Sequence, residues 1–172
     1  MRLADFKRSL ASDGEVAALT AEIRDDLERA IGELRDLARG IYPPLLEHDG
    51  LVAALREAAL RSAIPTQVRC ERSVRHGPEL EAAVYFCCLE ALQNAAKHAG
   101  DGARTTVDLV ERDGVLSFEV ADDGAGFDPD TASVNAGLQN MTDRIGALGG
   151  ELRIESAPGR GTKVGGAVPV RR

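Results

Sequence analysis

Glu90-Ala91-Leu92-Gln93-Asn94-Ala95-Ala96-Lys97-His98-Ala99, followed downstream by Asp122-Asp123-Gly124-Ala125-Gly126-Phe127-Asp128, is the part of the chain on which the fold turns. On a helix, Glu90, Asn94 and Lys97 stand at i, i+4 and i+7 and share one face. Earlier on that face lie the apolar residues Ala83 and Cys87. A polar stripe is therefore confined to one end of an otherwise core-facing surface. A carboxylate, an amide oxygen and an ammonium converging there suit a hard cation together with phosphate oxygens. The second stretch ends a strand predicted from Val115 to Asp122, with Leu116, Phe118 and Val120 on one face at period two. Asp122 continues that inward face and Asp123 points away. A carboxylate on the core side of a strand end needs a donor, and an adenine amino group is a suitable one. Gly124 and Gly126 permit positive φ and close approach of the backbone to a ligand.

Outward from this centre, Pro78 starts the long helix. Thr66–Ser73 reads as a strand, and Arg104–Glu111 forms a hairpin with Val115–Asp122 through Arg112-Asp113-Gly114. Pro129–Ala136 is small, polar and patternless, as a lid would be. Leu138–Leu148 is predicted helical and stopped by Gly149-Gly150. Strands near Glu151–Ser156 and Thr162–Val168 close the domain. Upstream, Gly50–Ser62 reads as a helix with Leu51, Ala54, Leu55 and Ala58 inward. Before it, a helix from Glu15 to Gly40 carries Leu27, Ala30, Leu34, Leu37 and Ile41 three and four apart, a bundle seam that calls for cover; a partner helix from a second chain is favoured over folding back on its own domain. Tyr42-Pro43-Pro44 ends it. The expected architecture is α+β: a helix-on-sheet sandwich over residues 45–172, with mixed, mostly antiparallel strands, preceded over residues 1–44 by a dimerization-type helix and a proline linker.

The chain has 172 residues, 44% of them hydrophobic but only 3% aromatic, and no tryptophan, so Ala, Leu and Val carry the packing. A net charge of -7 argues against nucleic acid as the main partner. Cys70, Cys87 and Cys88 have neither metal spacing nor an even disulfide framework and read as small hydrophobes in a reducing compartment. No apolar run approaches the ~18 residues of a membrane span, and the start lacks a signal-peptide core, so no membrane contact and a cytoplasmic location are expected. His48 and His76 are expected at the surface, His48 in a loop.

The two central motifs resemble the N box and G1 box of the Bergerat-fold ATPases, which include histidine kinases, type II topoisomerases and heat-shock chaperone ATPases. Gly137-Leu138-Gln139-Asn140-Met141-Thr142-Asp143-Arg144-Ile145 with Leu148-Gly149-Gly150 resembles the segment after the ATP lid in sensor kinases whose partners are LuxR-type response regulators. Gly159-Arg160-Gly161-Thr162 resembles the final glycine box. Leu34-Arg35-Asp36-Leu37, Ile41 to Leu46 and Gly50 to Leu55 resemble that family's link between dimerization and catalytic domains. Four elements in the right order are a strong signal where one glycine box alone is weak.

The resemblance implies a site that binds ATP and Mg²⁺. Asn94 would coordinate the metal, with Glu90 as a second candidate ligand, and Glu90 would act as base or orient the attacking group. Lys97 would contact phosphate. His98 would either do the same or only close its helix. Asp122 would read adenine between Gly124 and Gly126. Gly137, Leu138, Gly161 and Thr162 would complete the pocket, with the Thr162 hydroxyl supporting Asp122. Asp123 and Asp128 are assigned to solvent or lid contacts, and Arg144 is left without a role.

The implied activity is transfer of the ATP γ-phosphate to a protein histidine for relay to a response-regulator aspartate, in a homodimer joined through the N-terminal helix. An anti-sigma-type serine kinase and a non-catalytic ATP-gated module are the competing readings. The linker and the seam helix argue against the first. Three departures from the family stand out. A Glu-Leu-His-Asp-like acceptor motif is missing, so the chain alone is expected to bind ATP without phosphorylating itself. Asn135 replaces a lid-hinge glycine, and Gly165-Gly166 interrupts the closing strand, where a bulge is expected.

Overall fold

The structure, a computed structural model, describes residues 44–71, 75–128 and 136–170. The seam helix of residues 15–40 and the lid of residues 129–135 lie outside them. The elements are α1 (Pro44–Leu60), β1 (Thr66–Cys70), α2 (Pro78–His98), β2 (Thr105–Arg112), β3 (Val115–Asp122), α3 (Ala136–Ala147), β4 (Glu151–Ser156) and β5 (Thr162–Pro169). The five strands form one sheet in the order β1-β2-β3-β5-β4. β1 runs parallel to β2, and the other three pairings are antiparallel.

Period-two burial selects the sheet face on which the helices pack. Val107 and Leu109 of β2, Leu116, Phe118 and Val120 of β3, and Val164 and Val168 of β5 join Leu46, Leu55, Val84, Cys88, Leu92, Met141 and Ile145 of the helices in one core. The β2–β3 turn takes the predicted form: Asp113 at φ 53 and Gly114 at φ 76 make a two-residue loop whose twist matches the right-handed twist of the flanking strands. α3 stops as expected. The Gly150 N–H bonds the Ile145 carbonyl at 3.0 Å and the Gly149 N–H the Gly146 carbonyl at 2.9 Å, with Gly149 at φ 73. This double bond pattern is the glycine-terminated cap that satisfies the last helical carbonyls.

Pro44 opens α1, since proline fits a first turn. Four expectations need correction. Gly50 (φ 82, ψ -178) breaks that helix, and His48 lies on the segment before the break rather than in a loop. β1 ends at Cys70 rather than Ser73. No bulge forms at Gly165-Gly166. Both residues keep register between β3 and β4, because the Phe118 ring lies over Gly166, where a Cβ would come within 2.5 Å of Phe118 Cε1. The missing side chain makes room for a core aromatic. Finally, the His76 side chain is only 5% exposed, with Nε2 3.1 Å from Glu111 Oε2.

The His76 backbone belongs to a joint invisible in the sequence. Glu81 on α2 is fully buried, and its Oε1 accepts from the His76 N–H at 2.9 Å and from Arg75 Nε at 3.1 Å. Arg75 Nη2 donates to Glu81 Oε2 at 3.3 Å and to the Glu47 carbonyl at 3.0 Å, while Nη1 reaches the His48 carbonyl at 3.2 Å. One guanidinium thus ties the last carbonyls before the Gly50 break to the first turn of α2, and its stem fills the space a Cβ on Gly50 would occupy. Glu81 is buried while Arg75 is half-exposed, so removing Arg75 leaves a buried carboxylate uncompensated. Arg75→Ala is therefore expected to cost about 1–3 kcal/mol in urea denaturation, and adding Glu81→Leu should recover part of the loss.

Candidate functional site

A cleft of about 400 Å³ opens between α2, the ends of β3 and β5, and the start of α3, within the roughly 300–1,000 Å³ range of small-molecule sites. Its α2 wall is Ala91, Asn94, Ala95 and His98 at i, i+3, i+4 and i+7. This stripe shares Asn94 with the predicted one. Glu90 flanks it half-buried and Lys97 flanks it exposed, and neither lines the cleft. Ala91 and Ala95 let the helix approach the sheet closely and leave Asn94 and His98 as its polar groups.

The floor is the cross-strand pair Val120–Val164, followed by Asp122–Thr162. An apolar floor bounded by one carboxylate is chemistry for a flat heteroaromatic ring with a hydrogen-bond donor on its edge. Ala99, Gly126, Phe127 and Leu138 complete the lining, which does not include Gly124, Gly137 or Gly161. Asp122 is half-buried, and its Oδ1 accepts from the Gly124 N–H at 3.0 Å. Asp123 is exposed, as expected, and in addition its Oδ1 accepts from the Arg104 N–H at 2.6 Å and extends the β2–β3 ladder by one rung.

Gly126 has the expected positive φ and lines the cleft, and the glycines also bring backbone against backbone. A Cβ on Gly124 would collide with Ala99 at the end of α2, one on Gly126 (φ 60) with the Ala157 carbonyl, and one on Gly161 (φ 69) with the Asp122 carbonyl. Backbone meets backbone at all three. The Ala125 N–H bonds the Ala99 carbonyl at 2.8 Å, and the Gly159 N–H bonds the Ala125 carbonyl at 2.6 Å.

Ser156 has no part in the sequence motifs yet organises the same loop. Its Oγ accepts from the Phe127 N–H at 2.8 Å, lies 3.0 Å from the Gly161 carbonyl, to which it donates, and 3.1 Å from Thr162 Oγ1. The Thr162 hydroxyl is therefore engaged with Ser156. Only the β4–β5 register could have pointed to this residue, since it pairs Ser156 with Thr162. Arg144 also finds a place, stacked 5.2 Å from the centroid of the Phe86 ring on α2. Cys87 and Cys88 are fully buried, and burial, with Cys87 alongside, pushes the Cys88 thiol well up, as fits an inert core residue.

A one-sided helix-on-sheet domain whose cleft joins a helical Asn to a strand-end Asp belongs to the class of nucleotide-binding ATPase domains. Residues 79–172 match the model of the histidine kinase-, DNA gyrase B- and HSP90-like ATPase family, and the chain belongs to that family. It is 30% identical to an uncharacterized sensor-like histidine kinase of Chloroflexus aurantiacus, over 99% of this chain and 31% of that protein. It is 28% identical to sensor histidine kinase ComP of Bacillus subtilis, over 94% of this chain and 22% of that one. The histidine kinase domain of the blue-light activated histidine kinase of Erythrobacter litoralis superposes with TM-score 0.59 at 25% identity, covering 69% of this chain and 59% of that one. The chain thus spans less than a third of these two curated relatives, and its described unit is an ATP-binding domain of the sensor histidine kinase kind. No helix among the described residues is long and apolar enough to cross a membrane.

Because Ser156 alone links the Phe127 amide to the closing hairpin, Ser156→Ala should leave a half-buried donor and acceptor unmet. The expected loss is about 1–3 kcal/mol, read by chemical denaturation, together with faster hydrogen exchange at the Phe127 amide. An unchanged exchange rate at that amide would remove Ser156 from this role.

Proposed function

We propose that the chain supplies the ATP-binding catalytic domain of a two-component sensor histidine kinase, which moves the ATP γ-phosphate to a histidine on a dimerization helix for relay to a response-regulator aspartate. The observation that carries the reading is the cleft itself: Asn94 and His98 on one wall and Asp122 at the edge of a Val120–Val164 floor. The adenine lies on that floor with its amino group donating to Asp122. The phosphates run toward the end of α2, where His98 lines the cleft and Lys97 stands exposed beside it.

The donor set suits a magnesium ion: Asn94, which lines the cleft, and as second candidate Glu90, which flanks it, would supply one or two hard oxygens, as is usual where Mg²⁺ is held mainly by nucleotide phosphates and water. The ion would neutralise phosphate charge. Asn94 orients the phosphates, Glu90 orients or deprotonates the attacking imidazole, and the apolar wall excludes water, so that catalysis is mainly positioning. Gly124, Gly137, Leu138, Gly161 and Thr162 shape the pocket around the nucleotide. A LuxR-type regulator as partner, a homodimer through the N-terminal helix, the boundary near residue 44 and a cytoplasmic location belong to the same proposal, supported by the motif order and the sensor kinases among the relatives.

Adenine recognition is tested at Asp122. Asp122→Asn replaces an acceptor oxygen by a donor facing the amino group, and ATP affinity by calorimetry should fall by about 1–3 kcal/mol. Equal affinity would take this residue out of the site.

Phosphoryl transfer is tested with radiolabelled ATP and Mg²⁺. The chain alone should acquire little acid-labile label, since His48 lies on α1, His76 is enclosed against Glu111 and His98 is part of the cleft wall. Fusing a histidine-bearing helix from a relative to its N-terminus should restore the label, and Asn94→Ala in that fusion should abolish it. Strong acid-labile label on the chain alone would point to another acceptor.

A further inference from the structure

Asp122 is bracketed on its own sheet by two threonines. The β3–β5 register pairs it with Thr162, and the β2–β3 register pairs it with Thr105. The two differ in one respect. The Thr162 hydroxyl is engaged by Ser156 at 3.1 Å, whereas Thr105 is 1% exposed and its Oγ1 has no hydrogen-bond partner among the described residues. Its backbone N–H is already committed to the Pro65 carbonyl at 2.9 Å.

The ladder brings Thr105 and Asp122 together. The next rung, Arg104 with Asp123, is a hydrogen-bonded one, with the Asp123 N–H on the Arg104 carbonyl at 3.2 Å. Alternation makes Thr105–Asp122 a non-hydrogen-bonded pair, the kind in which side chains stand closest, on the order of 4.5–5.5 Å between Cβ atoms. Both lie on the face that carries Val107 and Val120. The next two inward positions of β2 are Val107 and Leu109, both buried and apolar, so packing alone would put valine at residue 105. A buried hydroxyl with nothing to bond is a cost to the folded protein. A group kept at such a cost next to a binding carboxylate has its use in the bound state.

We propose that Thr105 is the positioning residue for Asp122 in adenine recognition. Gly124 holds Oδ1, and Oδ2 remains for other donors. When the carboxylate turns to accept the exocyclic amine, the Thr105 hydroxyl donates to it, fixes its rotation and gains the bond it lacks. Thr105 is not among the residues lining the cleft, so it acts through Asp122 and not on the base. This inference rests on the reading of the cleft as an ATP site and assigns to Thr105 the support that the motif resemblance gives to Thr162.

The test compares the parent chain with Thr105→Val and Thr105→Ser. Each is titrated calorimetrically with ATP and with purine riboside triphosphate, which lacks the exocyclic amine, and each is melted without nucleotide. Thr105→Val should bind ATP about tenfold more weakly, bind the amine-free analogue as the parent does, and melt at the same or a higher temperature. Thr105→Ser should bind ATP like the parent. In an Asp122→Asn background, Thr105→Val should have no further effect on ATP. Unchanged ATP affinity in Thr105→Val overturns the proposal, and so does an equal loss for ATP and the analogue, which would mark general damage. A parent that binds neither nucleotide would overturn the ATP reading itself, and this inference with it.

Discussion

Backbone-on-backbone contact at three glycines is the constraint on which the rest of the site depends. Gly124 lies on Ala99, Gly126 on the Ala157 carbonyl and Gly161 on the Asp122 carbonyl, at separations that leave no room for a Cβ. Through them the end of α2, the β3 exit loop and the β4–β5 turn meet at one point. Two amide bonds, from Ala125 to Ala99 and from Gly159 to Ala125, then lock the meeting. Any side chain there would push the Asp122 strand end away from α2 and open the cleft. The glycines serve the ligand indirectly, by fixing the distance between the carboxylate and the helix that carries Asn94.

α2 is the second shared element. Its buried side supplies Leu80, Ala83, Val84, Cys87, Cys88, Ala91, Leu92 and Ala95 to the core, and the last of these alanines also form the cleft wall. At its start, buried Glu81 and Arg75 tie it to the segment that ends at Gly50. At its middle, Phe86 receives Arg144 from α3, the helix that follows the lid. A displacement of residues 44–50 or of α3 therefore acts on the same rigid body that holds Asn94.

The fold was legible where a local pattern had a single solution. Period two in Leu116, Phe118 and Val120, the Asp113-Gly114 turn, the Gly149-Gly150 stop and Pro78 as a helix start are all local chemistry, and β3, β4, the hairpin turn and α2 fall where that chemistry puts them. Reading failed where a residue's partner is distant in sequence. Gly165-Gly166 looked like a fault in a strand because Phe118, which needs the space, is far away along the chain. His76 looked exposed because Glu111 lies on another strand. Nothing local in the sequence marks Glu81 as buried, because Arg75 becomes its partner only when the chain turns back.

The sequence by itself determined the class of the domain, its element order and the identity of its polar residues, since motif spacing on a helix or strand follows from backbone periodicity alone. Tertiary structure decided which of those residues face the cleft. The wall is set by how α2 rotates against the sheet, so His98 lines the cleft and Lys97 does not. It also decided that Ser156 occupies Thr162, leaving the buried Thr105 hydroxyl beside Asp122 without a partner among the described residues. Strand register makes that choice, and register is a property of paired strands, which no single stretch of chain contains.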